Sequence, residues 1–343
     1  MKEIRVALLG YGGIARAHMH GYDVLEKEGF PIHRVALCDV DPEQFSAVQK
    51  INIEADGKQT TGSLHLYTDV DEMLANEEID LVDICLPTYL HKDYAIRMLR
   101  AGKHVQCEKP MALSYADCAE MIATAKECGR HLMIGQCLRF NANYLALKAL
   151  IDEGRYGRVI SASFERLSAL PRWGFEGWFR DVKRSGGALM DMGVHDVDMV
   201  RYLLGEPDAV SAISVDMDMP KQSYTCRLLY KNGPFVTTQV SWCEAPGFPF
   251  SCPFRVTLEK ATVTWDGRGQ VTVYPAGGEV YTLAYEQCDH MAEEIRYLGE
   301  VILGMHENKK NPPESAMATM KIVALLDASA AQGGKTLFTE KEL

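Results

Sequence analysis

The sequence predicts an α/β protein in two parts: a doubly wound parallel sheet, then an α+β domain with a large, mostly antiparallel open sheet. Three observations lead there. The short apolar run Ile4–Leu9 feeds into Gly10-Tyr11-Gly12-Gly13-Ile14-Ala15 and then a helical segment. Strand-like and helix-like runs alternate from there to about Cys137, the pattern of repeated β–α units. Beyond Cys137, β-rich runs follow one another with few helical returns, which suits an antiparallel sheet. The domains are therefore expected at residues 1–137 and 138–343.

Ile4–Leu9 is apolar apart from Arg5, as expected of a strand covered on both faces. The run behind it is Gly-x-Gly-x-x-Ala in a strand–turn–helix setting. Gly10 makes the tight turn, Gly12 lets the backbone approach a pyrophosphate, and Ala15 keeps helix and strand close. Gly10, Gly12, Gly13, Ile14 and Ala15 are thus candidate cofactor-binding residues, although glycine-rich turns also serve purely as turns. A second strand at 33–40 carries Asp39, the acid expected about 20 residues beyond such glycines to meet a ribose. An aspartate here would equally suit the cap of a helix starting near Asp41-Pro42. No arginine or lysine lies between Asp39 and Gln49 to receive a 2′-phosphate, so NAD is expected in preference to NADP.

The alternation continues with a short strand at 64–67, a short helix at 69–76 and a buried strand at 80–86 that ends at Pro87-Thr88. A helix at 89–101 follows, then the strand His104–Cys107, an amphipathic helix at 114–128 stopped by Gly129, and a sixth strand at 131–135. Six strands with intervening helices complete a dinucleotide-binding domain. In the second half, 141–151 reads as a helix. Strands are expected at Val159–Leu167, Ala209–Val215, 225–230, 235–242, 254–259 and Ala261–Trp265. Between the first two lies a helix over 186–200 that ends at Gly205, with Asp191 and His195 four apart and so on one face. The tail, 288–303 and 315–332, is helical and expected to pack back on the body. In Ala209–Val215, Val210 and Ala212 point one way and Ile213 and Val215 the other. With the domain's own helices over one face, the other is expected to be buried in a homodimer or homotetramer.

The chain has 343 residues, 47% hydrophobic and 24% charged, ordinary for a globular protein with room for two cores. A net charge of −11 without a basic stretch argues against nucleic acid or an anionic membrane as a partner. No apolar stretch approaches the roughly 20 residues needed to cross a bilayer, and the N-terminal run lacks a signal-peptide pattern. Ten cysteines are scattered singly, with no Cys-x-x-Cys, as in a reduced cytoplasmic protein without structural zinc.

Chemistry concentrates first at Glu108-Lys109-Pro110, where a strand ends. In open parallel sheets ligands sit outside the carboxyl ends of the strands, so Lys109 is placed to face a crevice. A lone lysine at such a turn is otherwise most often simply exposed. Pro87 and His91, after another strand end, and Glu108 are expected to border the cofactor. Asp191 and His195 form the second candidate pair, although helical Asp-x-x-x-His also arises by chance. Just before them, residues 171–180 interleave aromatics with arginine. That suits a polyol whose C–H face lies on a ring, with Trp178 the substrate-binding candidate; the aromatics would equally anchor a long loop. Gln136 and Arg139 are candidates to line the pocket.

Taken in order, Gly-x-Gly-x-x-Ala, Glu108-Lys109-Pro110 and Asp191-x-x-x-His195 within a Gly-Gly-Ala-Leu-Met-Asp helix resemble the glucose–fructose oxidoreductase / inositol dehydrogenase / rhizopine-catabolism (Gfo/Idh/MocA) family. The likeness covers nearly the whole chain, including Ala101-Gly102-Lys103-His104-Val105 and Arg139-Phe140-Asn141. It implies an N-terminal Rossmann domain, a C-terminal α/β domain with an open sheet, and NAD(P)-linked chemistry on sugars, inositols, polyols and related compounds. The family's catalytic lysine maps onto Lys109, and its helical acid and histidine onto Asp191 and His195. The same resemblance implies a cis Lys109–Pro110 bond. Physical roles follow. Removing hydride from a secondary alcohol requires a base for the hydroxyl proton, which suits His195. Lys109 stabilises charge developing on the oxygen. Asp191 accepts a hydrogen bond from a neighbouring hydroxyl or orients the ring. Two other readings stand beside this one. An NAD-dependent glycosidase would use transient oxidation on the same scaffold. A non-catalytic nucleotide-sensing regulator is disfavoured by the intact Lys109, Asp191 and His195.

Overall fold

The computed structural model describes residues 3–46 and 64–340, so the end of the stretch from Asp39 to Gln49 lies outside the described residues. The chain forms two compact units. The first comprises residues 1–137, 174–178 and 288–317, and the second 138–173, 179–287 and 318–343.

In the first unit the chain runs β1 (Ile4–Leu9), α1 (Gly13–Lys27), β2 (Ile32–Cys38), β3 (His65–Tyr67), α2 (Val70–Asn76), β4 (Leu81–Ile84), α3 (His91–Arg100), β5 (His104–Cys107), α4 (Tyr115–Cys128) and β6 (Leu132–Ile134). The six strands are all parallel in the order β3-β2-β1-β4-β5-β6. That order belongs to a doubly wound dinucleotide fold. Successive residues of β1 and β4 are buried on both faces, which explains their unbroken apolar runs. α1 buries Ala15, His18, Met19, Tyr22 and Leu25, a stripe at three- and four-residue spacing.

The two-segment division at residue 137 needs correction. Residues 288–317, assigned above to the C-terminal domain, belong to the first unit. The reason is apolar burial: in the helix His290–Ile302, Ala292, Ile295 and Leu298 share one core with Ile4, Val6, Leu8, Met19 and Tyr22. Gly21 permits the approach, since a Cβ there would lie 3.0 Å from the Ala292 nitrogen.

The second unit contains α5 (Ala142–Glu153), β7 (Val159–Leu167), α6 (Val182–Ser185), α7 (Val194–Leu204), β8 (Ala209–Val215), β9 (Ser223–Leu229), β10 (Phe235–Ser241), β11 (Phe254–Leu258), β12 (Ala261–Trp265), β13 (Thr272–Pro275) and β14 (Tyr281–Thr282). After these come α8 (His290–Ile302), already placed in the first unit, α9 (Pro313–Ala331), whose chain passes from the first unit into the second, and β15 (Leu337–Phe338). The sheet has nine strands in the order β14-β13-β12-β11-β7-β10-β9-β8-β15. Among the described residues only β7 and β10 pair in parallel within it. β13, β14 and β15 were not foreseen. In β8, Val210 and Ala212 are buried while Ile213 and Val215 are 58% and 57% exposed. Ile160, Phe235 and Phe338 are exposed on other strands. Among the described residues no helix is long and apolar enough to cross a membrane.

Candidate active site

The glycine turn is built by backbone constraints. Gly10 has φ +90°, and a Cβ there would lie 2.8 Å from the Cys85 carbonyl oxygen, so only glycine fits. α1 then starts at Gly12 with no side-chain cap and no acid in its first turn, and the space beside Gly12 is open to 4 Å. An uncapped helix N-terminus with room beside it suits an anion. Asp39 stands at the end of β2, its Oδ2 accepting from the Tyr11 nitrogen at 2.6 Å and its Oδ1 from the Asp41 nitrogen at 2.9 Å. The cap of the 3₁₀ turn Pro42–Phe45 is Asp41, not Asp39. Burial raises the Asp39 pKa against the pull of those two N–H donors.

At the end of β5, Glu108 is turned inward. Its Oε1 lies 3.0 Å from His18 Nε2, and its Oε2 accepts the Lys109 N–H at 3.1 Å. The Glu108 carboxyl is held below its usual value: burial pushes it up, but the His18 hydrogen bond and charge prevail. The Lys109–Pro110 bond is cis, and Lys109 is half-buried. His91 is 1% exposed, with Nδ1 2.8 Å from the Pro110 oxygen and Nε2 2.8 Å from the Leu86 oxygen, so its ring nitrogens are engaged by main chain. Burial lowers its pKa, and a ring with one N–H donates to one of those carbonyls. Pro87 is half-buried ahead of the 3₁₀ turn Thr88–Leu90.

Asp191 and His195 belong to the second unit. The helix expected over 186–200 starts at Ala188, after α6 and the left-handed glycines Gly186 and Gly187, and widens into a π turn at Leu189–Gly193 before α7. Gly187 has φ +81°, and a Cβ there would stand 2.8 Å from the Lys221 oxygen, which forbids a regular helix start. Asp191 lies in the π turn and is buried; His195 is in the first turn of α7 and half-buried. Their i, i+4 relation therefore passes through wider i→i+5 geometry, a feature frequent at functional sites. On either side of His195 in α7's buried surface, Asp196 accepts Arg166 bidentately at 3.0 and 2.9 Å, and Asp198 accepts Arg139 bidentately at 2.8 and 2.7 Å.

Arg139 thus requires correction as a pocket-lining residue. It is 2% exposed, committed to Asp198, and its guanidinium lies 5.2 Å from the Tyr202 ring centroid. Burial pushes its pKa down, yet the Asp198 carboxylate holds it above the ordinary value. In residues 171–180, Trp178 and Phe179 are buried while Trp173 and Phe175 are exposed. Phe179 packs edge-on against Trp242 at 6.2 Å, so this ring anchors the loop. Sequence reasoning passed over His18, Asp83, Arg166, Asp196 and Asp198. The available signal was a polar residue inside an apolar run: Asp83 within the buried β4 and His18 on the apolar stripe of α1.

A glycine turn at the first strand of a 3-2-1-4-5-6 parallel sheet, joined to a unit built on an open sheet, defines a two-domain dinucleotide-binding protein. Residues 4–136 match the family model described as "Oxidoreductase family, NAD-binding Rossmann fold", and residues 144–264 match the "GFO/IDH/MocA C-terminal domain". The chain belongs to the Gfo/Idh/MocA family of oxidoreductases. It is 36% identical over 157 residues to 1,5-anhydro-D-fructose reductase of Ensifer adhaerens, covering 45% of this chain and 47% of that protein. It is 35% identical over 145 residues to 2,7-anhydro-N-acetylneuraminate hydratase of Escherichia coli, covering 42% and 39%. The chain thus spans less than two thirds of the length of these curated relatives, 47% and 39% of the two named. Among solved structures, aldose-aldose oxidoreductase from Caulobacter crescentus, complexed with glycerol, is similar with a TM-score of 0.82 and 26% identity, covering 98% of this chain and 100% of that one.

Proposed function

We propose that this chain is an NAD-linked oxidoreductase moving a hydride between nicotinamide and a secondary alcohol of a sugar, inositol or related polyol. The observation that carries the reading is the uncapped α1 N-terminus behind Gly10 and Gly12, with Asp39 anchored beside Tyr11. The residues fit a dinucleotide: Gly12, Gly13 and Ile14 would offer main-chain N–H groups to a pyrophosphate, and Asp39 would accept ribose hydroxyls. Each Asp39 oxygen holds one backbone N–H and retains a lone pair. A 2′-phosphate at that carboxylate would be repelled, which favours NAD over NADP. The bound nicotinamide supplies the hydride chemistry.

The protein supplies the rest. Lys109 stabilises negative charge as it develops on the substrate oxygen. His195 takes the hydroxyl proton, and Asp191 holds a neighbouring hydroxyl or orients the imidazole. Trp178 contributes apolar surface to the substrate. Screening sugars, inositols and sugar acids with NAD and NADP, while following NADH absorbance, tests the reading. NADH should accumulate with at least one of them, with clearly lower efficiency for NADP; comparable efficiency with NADP would overturn the cofactor preference. The relative named as a hydratase favours a second reading, in which oxidation is transient and an anhydro-sugar or glycoside is opened without net redox. Product formation that requires NAD but leaves no NADH would select it. The exposed apolar side chains of β8, Ile213 and Val215, support a homodimer or homotetramer. A monomer by light scattering at micromolar concentration would refute that.

A further inference from the structure

His18 and Asp83 take no part in the chemistry above, yet with Glu108 they form a buried polar cluster in the first unit. His18 and Asp83 are 0% exposed and Glu108 4%. His18 Nδ1 lies 2.8 Å from Asp83 Oδ2 and Nε2 lies 3.0 Å from Glu108 Oε1. Carboxylates only accept, and a neutral imidazole has one N–H, so both contacts are hydrogen bonds when the ring carries both protons. Burial opposes that charge, but the Asp83 carboxylate outweighs it and holds the His18 pKa well above the ordinary value.

The other groups facing the cluster are accounted for. The Tyr22 hydroxyl donates to Asp83 Oδ2 at 2.9 Å. The Cys85 thiol, 3.8 Å from Asp83 Oδ1, is pushed up to about 12 by burial and stays neutral. His290 of α8 is lowered by burial, with His18 adding to the effect. Lys109 lies near enough to favour the Glu108 charge. Gly135, at the end of β6, leaves the space that Glu108 fills, since a Cβ there would lie 2.7 Å from Oε1.

A lysine on a turn after a strand has no ladder or helix to fix it. Here the chain is held at Glu108 by His18, and the Pro110 carbonyl packs 2.8 Å from the buried His91 ring. We propose that His18 is a positioning residue: by bridging Asp83 and Glu108 it fixes the carboxylate whose other oxygen holds the Lys109 N–H, and so sets where the Lys109 ammonium stands. The inference rests on the reading of Lys109 as the group that stabilises charge on the reacting oxygen. Misplacing a reacting group by about 1 Å costs on the order of 10²-fold in rate.

The test combines His18→Gln, Glu108→Gln and Lys109→Met with the double variant His18→Gln/Lys109→Met. Glu108→Gln keeps the shape while turning an amide or a weaker acceptor towards the Lys109 N–H. In His18→Gln and Glu108→Gln, kcat should fall roughly 10- to 100-fold while KM changes less than about threefold, and in His18→Gln NAD affinity should hold within the same factor. The double variant should be no slower than Lys109→Met, because His18 acts through Lys109. A further fall in the double variant would indicate general loosening and overturn the proposal. A second readout needs neither turnover nor cofactor. In ¹⁵N NMR of the histidine-labelled wild-type chain, His18 should carry protons on both ring nitrogens at neutral pH. A singly protonated ring would overturn the proposal even if His18→Gln failed to fold. Wild-type kcat in His18→Gln beside a crippled Lys109→Met would sink this inference alone. Wild-type turnover in Lys109→Met would overturn the role of Lys109, and this inference with it.

Discussion

The two units hold their charged candidate residues by different means. In the first, Lys109 stands on a turn that is held peptide by peptide: Glu108 by His18 and the Lys109 N–H by Glu108, with the Pro110 carbonyl packed against the His91 ring. In the second, His195 rides on α7, whose buried side is clamped at two points, Asp196 by Arg166 and Asp198 by Arg139. A helix carries its residues as a body through its own hydrogen bonds, so two locks are enough. A turn lacks that internal ladder and must be fixed at each link. Damage in the first unit should therefore be local and read out in catalysis. Damage to the α7 clamps should be global and read out in stability.

Four experiments press on that contrast. Lys109→Met, which keeps much of the stem but removes the charge, should lower kcat by roughly two to four orders of magnitude. The urea midpoint should barely move; a large loss of stability would blur the contrast. Asp196→Ala leaves the Arg166 guanidinium buried and uncompensated, and should destabilise by about 3–5 kcal/mol in urea denaturation. Replacing both members with apolar residues of similar volume should recover much of that loss, since the pair's desolvation penalty is removed with it.

Gly135→Ala should cost about 1–3 kcal/mol from crowding of the Glu108 carboxylate, and kcat should fall alongside. Full activity in a destabilised Gly135→Ala protein would show that Glu108 tolerates displacement. The smallest effect is in pH. The His18 pKa is raised in the folded chain, so its stabilisation is complete below the unfolded value of about 6.5 and is lost as pH rises through the higher folded value. The stability of wild type relative to His18→Gln should thus decline by about 1 kcal/mol per pH unit above roughly pH 7. A difference independent of pH would mean that His18 is not charged in the fold.

Much of the fold was legible because its signals are local. The apolar run of β1, the Gly10–Ala15 turn and the stop at Gly129 each depend on neighbouring residues, and the alternation of β and α runs implied a parallel sheet. For Asp39 the sequence allowed a ribose contact or a helix cap; backbone geometry gave the cap to Asp41 and the Tyr11 nitrogen to Asp39. The helix expected from 186 begins only at Ala188, because Gly186 and Gly187 adopt left-handed backbone. The close approach of Gly187 to Lys221, far along the chain, goes with that later start.

By itself the sequence determined the parallel sheet, the glycine turn, the position of Lys109 at a strand end and the pairing of Asp191 with His195 four residues on. All of these follow from periodicity, turn chemistry and spacing within short windows. Only the tertiary structure decided that 288–317 joins the first unit, that Arg139 serves Asp198, and that His18 stands between Asp83 and Glu108. Those partners are 59 to 90 residues apart in sequence. A buried ion finds its counter-ion by where the sheets and helices place it, because leaving it unpaired in a low-dielectric core costs more than any local preference contributes.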